Sequence, residues 1–169
     1  MKIYYREKSG GIEILRCFGI EGRVEIPGMI DGKLVISAAP YAFSSHMDEK
    51  EELKNASLWE VSDGLGFGRE EHVLAGNDVE EIVFPDTLKE IGRYIFYGCG
   101  NLKKLEFSDS LMQIGCGAFT GCHALEKLTV HMEQGKKSGV KEMLGEMWQR
   151  IDVNFLYEYE ERCFQRNLL

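Results

Sequence analysis

One pattern, written more than twice at a fixed spacing, constrains this chain more than any other feature. Val79-x-x-Ile82-x-Phe84 is followed 23 residues later by Leu102-x-x-Leu105-x-Phe107, and after another 23 by Leu125-x-x-Leu128-x-Val130. Aligning 79–101 with 102–124 gives 8 identities in 23 positions: Phe84/Phe107, Asp86/Asp109, Leu88/Leu111, Ile91/Ile114, Gly92/Gly115, Phe96/Phe119, Gly98/Gly121 and Cys99/Cys122. Self-similarity at such a period marks a solenoid, in which each short repeat buries its apolar side only by lying on the next.

Within one repeat, Ile82 and Phe84 alternate, as Leu105 and Phe107 do, so they share one face of an extended strand. Glu81, Val83, Lys104 and Glu106 then point outward. Leu88 with Ile91, and Leu111 with Ile114, bring the chain back to the same interior. Gly92 and Gly115 read as turn residues, and Phe96 and Phe119 are expected to stack in the middle. Residues 23 apart fall on neighbouring rungs about 4.8 Å apart. Glu80, Lys103 and Glu126 are therefore expected to form an alternating ladder, with Glu81 facing Lys104.

The order L-x-x-L-x-F, D-[TS]-L-x-x-I-G, F-x-G-C at this period resembles the BspA-like leucine-rich repeats. Val24-Glu25-Ile26-Pro27, Ile30-Asp31-Gly32-Lys33-Leu34-Val35 and Ala42-Phe43 resemble the N-terminal module of the same family. The matching parts cover about half of the chain. The resemblance implies a mostly-β solenoid with surface or interaction roles in microbes, and it implies no shared catalytic residues.

Around these repeats the chain reads as one leucine-rich-repeat domain over 1–169. Runs 2–6 and 12–18 flank Lys8-Ser9-Gly10-Gly11 as a hairpin. Val24–Ile26 and Leu34–Ile36 follow across a turn, so 1–43 forms an N-terminal cap with the first repeat. Residues 44–78 break the pattern. They are either an acidic insertion or a degenerate repeat whose strand would be Leu53-x-x-Ala56-x-Leu58. Regular repeats occupy 79–130, and 131–169 is a helix-and-strand C-terminal cap. There Ser138 is a suitable helix N-cap. Val140, Met143, Leu144, Met147, Trp148 and Ile151 then give an amphipathic helix of about three and a half turns. Ile151, Val153, Phe155, Tyr157 and Tyr159 alternate as a strand. The fold class expected is mostly β with one C-terminal helix.

Charge separates partners. The net charge is −8, and phosphate neutralisation needs clustered Lys and Arg, so nucleic acid is excluded as a partner. Residues 44–81 hold eleven acids and three bases, an excess equal to the whole net charge. The irregular segment 44–78 is the first choice for a contact surface. No apolar run approaches the roughly 18 residues of a membrane span. Met1–Glu7 lacks the apolar core of a signal peptide, which places a chain starting there in the cytoplasm; a trimmed export segment would place it at the cell surface or outside. Five cysteines, an odd number, fit reduced thiols better than a disulfide framework.

Several residues invite chemistry and do not sustain it. Cys116-x5-Cys122-His123 lacks the paired C-x2-C spacing of a zinc site, and Cys99 and Cys122 recur beside Gly as small packing residues. Gly64-x-Gly66-x-Gly68 lacks the remainder of a phosphate loop. The carboxylates at 48–52 lack calcium-loop spacing. Asn55-Ala56-Ser57 fits a glycosylation sequon, a match common by chance. The Met/Trp stripe of the C-terminal helix reads as cap packing rather than a partner groove. No catalytic, cofactor-binding or metal residue is therefore assigned. The expected function is a non-catalytic protein–protein interaction module. The alternatives are a structural or self-assembling element, with homo-oligomerisation open, and a thiol-dependent enzyme using Cys116 or Cys122 with His123 or His131.

Overall fold

The computed structural model describes residues 1–61, 70–132 and 139–145, and the backbone of 152–157. The strands are β1 (Lys2–Lys8), β2 (Gly11–Gly19), β3 (Arg23–Glu25), β4 (Met29–Ile30), β5 (Lys33–Ala38), β6 (Ser57–Glu60), β7 (His72–Val73), β8 (Glu81–Val83), β9 (Glu90–Ile91), β10 (Lys104–Ser108), β11 (Gln113–Ile114), β12 (Lys127–Met132) and β13 (Asp152–Tyr157). Two short helices, α1 (Glu49–Glu52) and α2 (Val140–Leu144), accompany them.

The 23-residue period becomes strand register. In one sheet, β13, β12, β10, β8 and β3 lie side by side and parallel. Leu105 lies opposite Ile82 on one side and Leu128 on the other. Alternation then sorts the side chains: Ile82, Phe84, Leu105, Phe107, Leu128 and Val130 are buried, while Lys104 and Lys127 are exposed. A second sheet, in the order β11-β9-β5-β2-β1-β6, closes the other side of each rung. Between the sheets, Phe96 stacks against Phe43 at 5.9 Å and Phe119 at 5.6 Å. Phe96 is fully buried, whereas Phe119 is half-buried at the side of the stack.

The repeat glycines have two jobs. Gly98 and Gly121, in F-x-G-C, have φ of +75° and +84°, the left-handed turn that glycine adopts without strain. Gly92 and Gly115 were expected to do the same, but they serve close approach. A Cβ on Gly92 would lie 2.4 Å from the backbone N of Pro40, and one on Gly115 would lie 2.2 Å from that of Arg93. Each marks where one rung rests on the backbone of the rung before. Gly117 supports an aromatic contact as well: Tyr41 and Tyr94 stack at 5.6 Å, and a Cβ on Gly117 would meet the Tyr94 ring at 2.2 Å.

At the N-terminus, β1 and β2 form the expected hairpin, with Ser9 and Gly10 at φ +51° and +80°. Asp31 and Gly32 repeat this geometry, at φ +48° and +78°, between β4 and β5. Positive φ at both central residues is the type I′ turn that matches the twist of paired strands. β2 runs parallel to β5 and buries nearly its whole length.

The first rung lies directly on the next: β3 pairs with β8, β5 with β9, and Phe43 stacks on Phe96. No room for a further rung exists between them. Leu58 lies in β6, which pairs antiparallel with β1 instead of parallel to the repeat strands. β7 likewise joins β2 antiparallel.

At the C-terminus two details differ from expectation. The N-cap position of α2 is Gly139, which has no side chain to cap with, and the helix stops after Leu144 at Gly145, which has φ +53°. A left-handed glycine cannot continue an α-helix, so the expected run through Ile151 is broken there. The rest of the apolar stripe, Met147, Trp148 and Ile151, lies outside the described residues. β13 pairs parallel with β12 and adds a fifth strand to the repeat sheet.

Candidate interaction surface

After Phe43 the chain leaves the stack, and it rejoins it at Gly76, whose N–H donates to the Phe43 carbonyl at 2.8 Å. Arg16 fastens the departing end. It sits in β2, buried, and its guanidinium donates to the carbonyls of Tyr41, Ala42 and Ser44 at 3.2, 3.1 and 2.6 Å. Its Nε reaches Glu49 of α1 at 3.1 Å. Burial holds the Arg16 pKa below the usual guanidinium range, with Glu49 acting against it. Asp48 caps α1 by accepting from the N–H of Glu51 at 3.4 Å. Sequence reasoning passed over Arg16. The signal was one cation inside the apolar run Ile14-Leu15-Arg16-Cys17.

Replacing Arg16 by Met leaves the Ala42 and Ser44 carbonyls without a donor, while Tyr41 keeps the N–H of Ser44 at 2.9 Å, a loss of about 3 kcal/mol. The local readout is hydrogen exchange. Amides of 44–53 are expected to exchange faster in that variant while β8, β10 and β12 keep their protection; uniform acceleration would contradict this.

A second buried charge ties the cap to the rungs. Glu13, only 2% exposed, accepts from Arg6 at 2.5 Å, Lys8 at 3.1 Å and Ser37 at 3.1 Å. Lys8 also reaches Glu90 on the next rung at 2.8 Å. Burial pushes the Glu13 carboxyl up, but the hydrogen bonds from Lys8 and Arg6 outweigh it and the net shift is downward. This stabilisation is present above the unfolded carboxyl pKa of about 4.3 and is lost as pH falls through the lower folded value. Glu13→Gln is therefore expected to lower the urea midpoint at pH 7 and to flatten the acid limb of stability against pH. Parallel acid limbs for the two proteins would overturn this.

The outward face of the repeat sheet carries the expected ladder in part. Lys104 meets Glu81 at 2.8 Å, Arg23 meets Glu81 at 3.5 Å, and Lys103 meets Glu80 at 3.5 Å. Glu126 joins Lys103 through the backbone, its N–H donating to the Lys103 carbonyl at 3.0 Å. Exposed pairs of this kind contribute about 0–1 kcal/mol each, so they favour register more than stability.

The residues singled out for chemistry are dispersed. Cys99 donates to the Phe43 carbonyl at 3.1 Å and Cys122 to the Phe96 carbonyl at 3.3 Å, one rung apart. Burial pushes these thiols up to about 11 and about 12, and Cys17 to about 12. All three stay protonated at neutral pH, unlike a reactive thiolate. Cys116 and His123 are exposed, and His131 contacts Glu106 at 3.1 Å. Among the described residues, no hydrogen bond joins Cys116 or Cys122 to His123 or His131, and no three His, Cys, Asp or Glu side chains converge as metal ligands. Asn55 lies in the turn between α1 and β6, at φ +64°. Gly64, Gly66 and Gly68 lie outside the described residues.

A cleft of about 560 Å³ opens between β6 and the turns after β3 and β8. Trp59 and Val61 form one side, Ile26, Pro27, Val83 and Pro85 the other, and Glu25 and Asp86 bring carboxylates to it.

Residues 70–167, more than half of the chain, match the family model of the BspA type leucine-rich repeat region, in six copies. The chain belongs to this BspA-type leucine-rich-repeat family. Among solved structures, the BspA-type repeat here resembles a leucine rich cell surface protein from Faecalibacterium prausnitzii A2-165, with a TM-score of 0.50 and 17% identity over 90% of this chain. The chain spans 41% of that protein. The leucine rich repeat protein of T. pallidum aligns with a TM-score of 0.37 and 22% identity, over 91% of this chain and 79% of that one. No curated protein matches the sequence. Among the described residues, no helix is long and apolar enough to cross a membrane.

Proposed function

We propose that this BspA-type repeat chain is a single-domain, non-catalytic protein–protein interaction module that works through the segment projecting between its first two rungs. The observation supporting this reading most directly is the segment itself. It holds eight acids against three bases, five of the eight net negative charges of the chain, adds α1 without burying any of its residues, and is nevertheless held by a buried arginine. None of the described residues in 45–73 is buried, and a stretch that stays at the surface and is still fixed in place is suited to presenting one.

The test is capture of partners by the intact chain and by a chain in which 45–73 is replaced by a short glycine linker, which keeps the core residues Leu74 and Ala75. The 2.8 Å approach of Gly76 to Phe43 makes that bridge short. Partners identified with the intact chain and then purified are expected to bind it and to lose affinity for the shortened chain. Equal affinity for both clears the segment of the role. The place of action belongs to the same proposal: a surface location, like that of the F. prausnitzii cell surface protein, predicts removal by protease applied to intact cells. A cytoplasmic location predicts protection.

A further inference from the structure

We infer that the outer edge of β6, with the cleft beside Trp59, receives an extended segment of another protein in which lysine or arginine alternates with apolar residues. This rests on the interaction-module reading and names the partner's chemistry. β6 ends its sheet, with β1 on one side only. The N–H of Val61 donates to the Met1 carbonyl at 3.0 Å. In an antiparallel pair the bonded positions alternate, so Trp59, opposite Ile3, is bonded to β1 as well. Leu58 and Glu60 then turn their N–H and C=O groups outward. Among the described residues, no strand pairs with them. An open edge of this kind is a template for an added strand.

The side chains select what can be added. Trp59 and Val61 lie on the inward face and line the 560 Å³ cleft together with Ile26, Phe84 and Pro85. Residues of an added strand on that face would be apolar. On the outward face, Leu58 is 44% exposed and Glu60 is also exposed. Lys2 lies 3.7 Å from Glu60 and neutralises part of its charge, while Arg23 lies 3.5 Å from Glu25. Asp86 has no cation within ion-pair distance among the described residues. Residues beside Glu60, on the outward face, would be basic, and Asp86 adds negative charge at the cleft. A second copy of this chain would instead bring Glu60, Asp86 and the acidic segment against their own like charges.

The test is fluorescence anisotropy of short capped peptides titrated with the full chain: alternating lysine and valine, alternating glutamate and valine, and the lysine–valine peptide with a central proline. Saturable binding is expected for the first, weakening as salt is raised. About tenfold weaker binding is expected for the other two, since proline removes a strand donor. Leu58→Pro takes away one outward N–H and leaves the bonds to β1, so it should weaken binding about tenfold. Glu60→Lys, an exposed change, should weaken it several-fold, with folding of both variants checked by circular dichroism. Equal binding of the three peptides, or wild-type affinity in both variants, overturns the inference. A dimer in sedimentation that Leu58→Pro dissociates also overturns it, in favour of self-pairing. Partner capture surviving in Leu58→Pro, with no peptide bound by the parent chain, overturns the inference and leaves the interaction-module reading standing.

Discussion

Replacing Phe96 by Ala is expected to remove about 4 kcal/mol of stability, a large share of the roughly 5–15 kcal/mol typical of a folded protein. The ring is fully buried and contacts three others: Phe43 at 5.9 Å, Phe84 at 6.2 Å and Phe119 at 5.6 Å. It therefore joins consecutive rungs, and its loss leaves a hole that neither neighbour can close without shifting its own layer. The same change at Phe119, whose ring is half-buried, is expected to cost about 2 kcal/mol. Urea melts followed by circular dichroism measure both. A Phe96 variant no less stable than the Phe119 variant would mean that the rings do not act as a continuous stack.

A single methyl group at Gly115 is expected to do comparable damage. An added Cβ would lie 2.2 Å from the backbone N of Arg93 and 2.5 Å from its Cα. These are main-chain atoms, so no rotamer change relieves the clash and the two rungs must part. Overpacking in cores costs about 1–3 kcal/mol, and a clash against backbone belongs at the upper end, near about 3 kcal/mol. Gly139, with nothing within 4 Å of an added Cβ, is the control, and its Ala variant is expected to change stability by about 1 kcal/mol or less. Thermal melts of the two variants decide the matter. Matching melts would remove close approach as the reason for glycine at the repeat position.

What the sequence disclosed follows from what a period can encode. Spacing of 23 fixes which residues become neighbours, so the pairing of Ile82, Leu105 and Leu128 was legible. Alternation within each strand fixed which of them face inward. A period does not say why a glycine recurs. Gly92 and Gly98 look alike in one dimension, yet only the second needs positive φ; the first needs an empty side. Nor does it reach pairings outside the repeat. Ser57–Glu60 joins Lys2–Tyr5 across more than fifty residues, and four residues carry too short an alternation to announce a partner. The surface proposed for binding is built from that pairing, so it stayed hidden while the acidity of the same segment was plain. Gly145 shows the opposite failure: an apolar stripe at helical spacing continues on paper through a residue whose φ of +53° ends the helix.

The meeting of Phe43 and Gly76 has a consequence for how such a protein can change. Since both ends of the intervening stretch meet at one spot, its length is decoupled from the spacing of the rungs, while β6 and β7 tie parts of it to β1 and β2. The entropy of closing such a loop grows only slowly with length, so longer or shorter connections between these paired strands fit the same slot. Recognition is then free to diversify there while the layers above and below keep their alignment.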